Sequence, residues 1–178
     1  MNRHLRRKQK KEGNKKNNIQ SKLIEAINFH SNKHFEKAEM IYKQLNELSP
    51  YNYDVLRHLG ILNQDLGRLE EAYNFFQEAI KVKPDGFEAL NNLGTIHVLN
   101  KNQNLALRCF EKSTNINPNY VPTINNLAGL YHRLHNSEES LKYSKKALSL
   151  QPNNPLALNQ HAKALVLNNK IDEGIKIF

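Results

Sequence analysis

Carboxamides recur along this chain at intervals of 34 residues. Asn91, Asn125 and Asn159 occupy one recurring place and Asn92, Asn126 and Gln160 the next, with Arg57 and His58 at the same two places one interval earlier. A carboxamide carries a donor and an acceptor on one flat group, so an evenly spaced row can pair with the backbone amides of an extended peptide whatever its side chains. These eight residues are the candidate peptide-binding set. Asparagine is abundant throughout the chain, turns included, so composition is the competing source of such pairs.

Other chemistry finds less support. His30 and His34 stand four residues apart, and His132 and His135 three apart, spacings that put two ligands on one helical face. No carboxylate accompanies either pair in a zincin arrangement and no third ligand is evident, so no metal site is expected. There is no Gly-rich phosphate loop, no nucleophile elbow and no pair of carboxylates in an apolar setting. The chain therefore reads as a non-enzyme, with no catalytic residue and no cofactor. Cys109 is the single cysteine, which rules out an internal disulfide and fits a reducing, cytoplasmic setting; its expected role is packing.

The elements that must hold the carboxamides are announced by proline. Pro50, Pro84, Pro118 and Pro152 share the 34-residue interval, and proline marks helix ends because it lacks the N–H and its ring clashes with the preceding turn. Units of 19–52, 53–86, 87–120 and 121–154 follow, with a truncated unit 155–178. Position 8 of each unit is small (Ala26, Gly60, Gly94, Ala128, Ala162), as is position 20 (Ala38, Ala72, Ala106, Ser140, Gly174). Position 24 holds Tyr42, Phe76, Phe110, Ser144 and Phe178. Two small sites let helices approach closely and one large side chain fills the space beside them. Apolar residues three and four apart predict first helices over 20–32, 54–66, 88–100, 122–134 and 156–168, and second helices over 35–48, 69–82, 103–116 and 137–150. Gly67 sits where a left-handed turn residue is needed, and Asn136 or Ser137 is the expected cap of the helix that follows.

The residues Leu56, Leu59, Gly60, Ala72, Phe76, Ala79 and Pro84, with Leu90, Leu93, Gly94, Ala106, Phe110 and Pro118, resemble the signature of the tetratricopeptide repeat (TPR) family. Tryptophan is absent, and Leu56, Leu90, Ile124 and Leu158 stand where the family often places it. The first unit departs at Lys22 and Glu25 and the fourth at Ser140 and Ser144. The resemblance covers about residues 19–178 and implies an all-α fold, a right-handed α-solenoid of antiparallel helix pairs with about four and a half units. It also implies a concave groove lined by first helices, on which residues 34 apart form a ladder. Asn92 and Asn126 are similar to the asparagine ladder of protein O-linked N-acetylglucosamine transferases. The lysine–asparagine and lysine–arginine pairs of the carboxylate clamp that holds chaperone C-termini are missing: Arg57 with Ile61, Asn91 with Thr95, Asn125 with Gly129, Glu88 with Asn92 and Pro122 with Asn126 stand in those places. Chaperone-tail binding is not expected.

The net charge of +9 is concentrated at one end. Residues 1–18 carry eight Lys and Arg against Glu12, a net +7, leaving 18 basic and 16 acidic side chains in the rest. With Leu5 and Met1 as its only sizeable apolar side chains, this segment is expected to be disordered, able to make weak contact with RNA or an acidic membrane. No apolar run is long enough to span a bilayer. The last unit stops about half a helix short, which would leave Ile171, Ile175 and Phe178 in water and open that end to self-association. Two functions are carried forward: a scaffold or adaptor that binds a protein or peptide in its groove, and the acceptor-recruiting arm of a larger glycosyltransferase or sulfotransferase.

Overall fold

The computed structural model describes the backbone over residues 3–177 and side chains over residues 17–177. Among the described residues the chain is all-α, with ten helices and no strand. First helices are α1 (Arg3–Ser31), α3 (Tyr53–Asp65), α5 (Phe87–Leu99), α7 (Val121–Arg133) and α9 (Pro155–Leu167). Second helices are α2 (Phe35–Leu48), α4 (Leu69–Val82), α6 (Gln103–Ile116), α8 (Ser137–Leu150) and the short α10 (Ile171–Ile175). The chain divides into two compact units, Met1–Pro84 with α1 to α4 and Asp85–Phe178 with α5 to α10.

Each helix begins and ends for local reasons. Asn52 caps α3 by accepting from the backbone N–H of Asp54 and Val55 at 3.0 and 3.2 Å, and Asn154 caps α9 in the same way through Leu156 and Ala157. Of the two residues expected to cap α8, Asn136 does so, accepting from Glu139 N–H at 3.1 Å, while Ser137 is the first helical residue. The first-to-second helix turns all close alike. The N–H of His34, Arg68, Asn102, Asn136 and Lys170 each reaches back five residues to a carbonyl, and the residue before each has a positive φ of 56–74°. Only Gly67 is a glycine there; Lys33, Lys101, His135 and Asn169 adopt the same left-handed conformation. The prolines fall two residues after α2, α4, α6 and α8.

The small and large positions meet inside each hairpin. A Cβ built on Gly60 would lie 2.4 Å from the Phe76 ring, and one on Gly94 2.5 Å from the Phe110 ring, so glycine is what leaves room for each ring where it stands. In Met1–Pro84, α2 packs on α3 around Leu23, Ala26, Ile41, Tyr42, Leu45 and Leu59. In Asp85–Phe178, α6 packs on α7 around Ala106, Phe110, Leu127 and Leu130, and α8 on α9 around Ile124, Ala147 and Ala157. There α5 touches α7 and α7 touches α9, so three first helices make one continuous face.

The basic segment differs from expectation. Instead of a disordered stretch, residues 3–18 continue α1 as helix. Lysine, arginine and glutamine are good helix formers, and the packed half of α1 around Leu23 and Ala26 supplies the nucleus, so propagation toward the N-terminus costs little. Met1, Asn2 and Phe178 lie outside the described residues, as do the side chains of residues 3–16 that the polyanion contact would use. At the other end Ile171 and Ile175 are exposed.

Candidate functional site

In Asp85–Phe178 the two carboxamide rows take different roles. The position-5 residues Asn91 and Asn125 are 6% and 2% exposed, whereas Asn92, Asn126 and Gln160 at position 6 are half-buried. Asn91 is the centre of a polar network that crosses from α5 to α7. Its Oδ1 accepts from the Thr123 hydroxyl at 3.0 Å and from Asn126 Nδ2 at 2.9 Å, and its Nδ2 donates to Asn92 Oδ1 at 3.4 Å. The Thr123 hydroxyl also meets Ser113 Oγ at 2.9 Å, and Ser113 in turn donates to the Phe87 carbonyl at 2.9 Å. With its groups engaged inside the fold, Asn91 is framework; it orients Asn92 and Asn126 on the face beside it.

Asn125, Asn126 and Gln160 line one cleft of about 160 Å³, together with Thr95, Val98, Leu99, Phe110, Gly129, Leu130 and Arg133. Gln160 lies against Gly129, where an added Cβ would stand 3.3 Å from both of its terminal atoms. The Oδ1 of Asn125 and that of Asn159 are buried with no hydrogen-bond partner. No bond ties Asn159, itself half-buried, to the other members of the row. Thr95 and Gly129 follow Asn91 and Asn125 by four residues, and Arg133 follows Gly129 by four. That helical spacing was the available signal for them.

In Met1–Pro84 the equivalent pair is not a carboxamide site. Arg57 Nη2 donates to His58 Nε2 at 3.0 Å, and the His58 ring stacks on Tyr42 with centroids 5.9 Å apart. The two side chains engage each other, and the Nε of Arg57 is buried without a hydrogen-bond partner. His30, one of the histidines that suggested a metal, bonds Asp65 Oδ2 through Nε2 at 2.9 Å, and no group of three metal-ligating side chains occurs among the described residues. Burial raises the Cys109 thiol above its ordinary range, partly offset by Lys112, which favours the less nucleophilic form.

Burial also pushes the His58 imidazole down to about 4, with the charges of Arg57 and His30 acting in the same direction. The folded protein thus holds His58 neutral where the unfolded chain, titrating near 6.5, takes up a proton. The stabilising contribution of the neutral ring is complete above about pH 6.5 and is lost as pH falls toward 4. We expect on the order of 2 kcal/mol to disappear across that window, after allowance for partial solvent screening. Thermal melts from about pH 7 to about pH 4.5 test this: the pH slope should flatten in His58→Gln, and an unchanged slope would assign the acid sensitivity to other groups.

The Tetratricopeptide repeat family profile matches residues 54–85, 87–120 and 121–154. The solved structure of the MamA protein is 19% identical, with a TM-score of 0.70 over 90% of this chain and 87% of that one. A thermophilic TPR protein of Thermus thermophilus is 17% identical, with a TM-score of 0.78 over 89% of this chain and 87% of its own. PilF of Pseudomonas aeruginosa is 16% identical, with a TM-score of 0.80 over 89% of this chain and 72% of its own. At such identities the likeness establishes the fold alone. No curated protein matches this sequence. Among the described residues, no helix is long and apolar enough to cross a membrane.

Proposed function

Because the chain belongs to the tetratricopeptide-repeat family, we propose that the face of α5, α7 and α9 holds an extended segment of another polypeptide by its main chain. The observation that supports this is the split within the carboxamide rows. Asn91 anchors Asn126 at 2.9 Å and leaves the Oδ1 of Asn126 as a free acceptor, while Asn92 keeps both Nδ2 donors, since only its oxygen is engaged. The half-buried Asn92, Asn126 and Gln160 thus offer donors and acceptors to an incoming backbone from rigid helices. A peptide bound this way contributes amides and not a particular side chain, so the protein acts as a scaffold or adaptor.

Replacing Asn92 and Asn126 together with alanine tests the reading by fluorescence polarisation against an unstructured labelled peptide. Loss of two hydrogen bonds worth about 1 kcal/mol each should weaken binding by about 30-fold. Melting temperature should change little, because Asn91 keeps its bond from Thr123. Unchanged affinity in the double variant would remove the carboxamide row from the function.

A further inference from the structure

We propose that the α7/α9 side of this face is a subsite for an acidic side chain, an aspartate or glutamate of the bound peptide, held by Arg133 and Lys163. This deepens the groove reading and rests on it: the position-6 row takes the main chain and two cations read one residue.

The charges of Asp85–Phe178 are sorted by helix. Helices α7 and α9 contain no aspartate or glutamate and α5 contains only Glu88, whereas Glu111, Glu138, Glu139, Asp172 and Glu173 stand on the second helices. Two of those acids are already engaged, Glu139 by Lys142 at 2.9 Å and Glu173 by Lys170 at 3.1 Å. Arg133 and Lys163 differ from those lysines. Both are exposed, and among the described residues neither takes part in an ion pair. A cation in the last turn of a helix, as Arg133 is in α7, has a local role at the helix dipole; Lys163 stands before the last turn of α9 and lacks that role.

The two cations converge on one place. The terminal atoms of Gln160 on α9 lie 3.3 Å from the Cβ position of Gly129 on α7, which marks where these two helices meet. Arg133 follows Gly129 by four residues and Lys163 follows Gln160 by three, so each stands one helical turn beyond that contact on the same side of its helix. The ring of His132 registers both: burial first, then the charges of Lys163, His135 and Arg133, hold its imidazole below the ordinary range. Like charges on adjacent helices repel, and an anion placed with them removes the repulsion while accepting charge-assisted hydrogen bonds. Arg133 lines the cleft beside Gln160, whose Nε2 is a further donor for the same carboxylate. A carboxamide or a main-chain amide carries no charge and gains the hydrogen bonds alone. A lysine or arginine is repelled.

Capped extended peptides that differ only at one central guest residue test the assignment in titrations against the full chain. Glutamate or aspartate as guest should bind about tenfold tighter than glutamine at about 50 mM salt, the combined effect of two partly exposed ion pairs, and only about twofold tighter at about 0.5 M. Arg133→Gln combined with Lys163→Gln should abolish the preference and leave the glutamine-guest affinity in place. Should the loss of Arg133 unsettle the end of α7, Lys163→Gln alone should still cut the preference to about threefold. Equal affinity for glutamate and glutamine guests, or a preference that survives in Lys163→Gln at full size, overturns the subsite and leaves main-chain capture standing. A single-stranded oligonucleotide that binds more tightly than the glutamate peptide at the same salt overturns the assignment to an acidic peptide. Absence of binding by every guest peptide overturns main-chain capture as well.

Discussion

Replacing Phe110 with alanine is expected to remove about 3–5 kcal/mol of stability from Asp85–Phe178. The ring is 1% exposed, lies against Gly94 and is packed with Ala106, Leu127 and Leu130, so it joins the α5/α6 hairpin to α7. The space it leaves is walled by rigid helices and cannot collapse. Against a total of about 5–15 kcal/mol for a typical domain, the loss is a large fraction, and the urea midpoint should fall accordingly. A companion variant separates packing from simple hydrophobicity. In the wild-type background Gly94→Ala puts a methyl 2.5 Å from the ring and should destabilise by about 1–3 kcal/mol despite the better helix propensity of alanine. Combined with Phe110→Ala, the same methyl enters the emptied space and should recover part of the loss. Additive effects in this cycle would mean that the two positions do not share their space.

The second large effect is expected from Asn91→Leu. The change takes the shared acceptor from the buried Thr123 hydroxyl, which keeps Ser113, and from the half-buried Asn126 Nδ2, and puts an apolar side chain into the network, so a loss of about 1–3 kcal/mol follows. Asn92→Ala, one residue along, should cost under about 0.5 kcal/mol, since the only bond made by that half-buried side chain is 3.4 Å long. Peptide affinity should sort the neighbours in reverse. Asn92→Ala should weaken binding in a protein that melts normally, and Asn91→Leu should show itself first in the melt. Equal stability losses for the two variants would contradict the division into framework and binding rows.

The hairpins were legible in the sequence because their determinants are local and repeat. The second helices α2, α4, α6 and α8 run over the residues that periodicity assigned, bounded by the proline two residues on. First helices α3, α5, α7 and α9 begin and end one residue earlier than periodicity alone suggested. At α3 and α9 the side chains of Asn52 and Asn154 set that start, and at α9 Pro155 takes the first helical position, which suits its fixed φ. The helical continuation of α1 over the basic segment was not legible from composition, which measures how little a segment can bury and not whether a neighbouring helix extends into it.

The site was only half legible. A 34-residue interval shows that Asn91 and Asn125 are equivalent, and likewise Asn92 and Asn126, but it does not show where each pair points. Adjacent helical residues differ by about 100° around the axis, and here that rotation separates an inward row from an outward one. Part of what holds Asn91 comes from outside the rows, namely Thr123 and, behind it, Ser113. Ser113 is the clearest missed signal, a hydroxyl at the place that Ala79 and Ala147 occupy in neighbouring units and wholly buried there. Arg57 and His58 fell into the pattern by position, yet their side chains engage each other, because a guanidinium N–H can donate to a neighbouring neutral imidazole.

The reversals between paired helices have a practical bearing. Lys33, Lys101, His135 and Asn169 hold a backbone twist that costs a side-chain-bearing residue about 1–2 kcal/mol and glycine nothing, as Gly67 demonstrates. Lys101 lies nine residues, or about 14 Å of helix rise, beyond Asn92. The fold can therefore be hardened at its bends while the face of α5, α7 and α9 proposed for binding stays untouched.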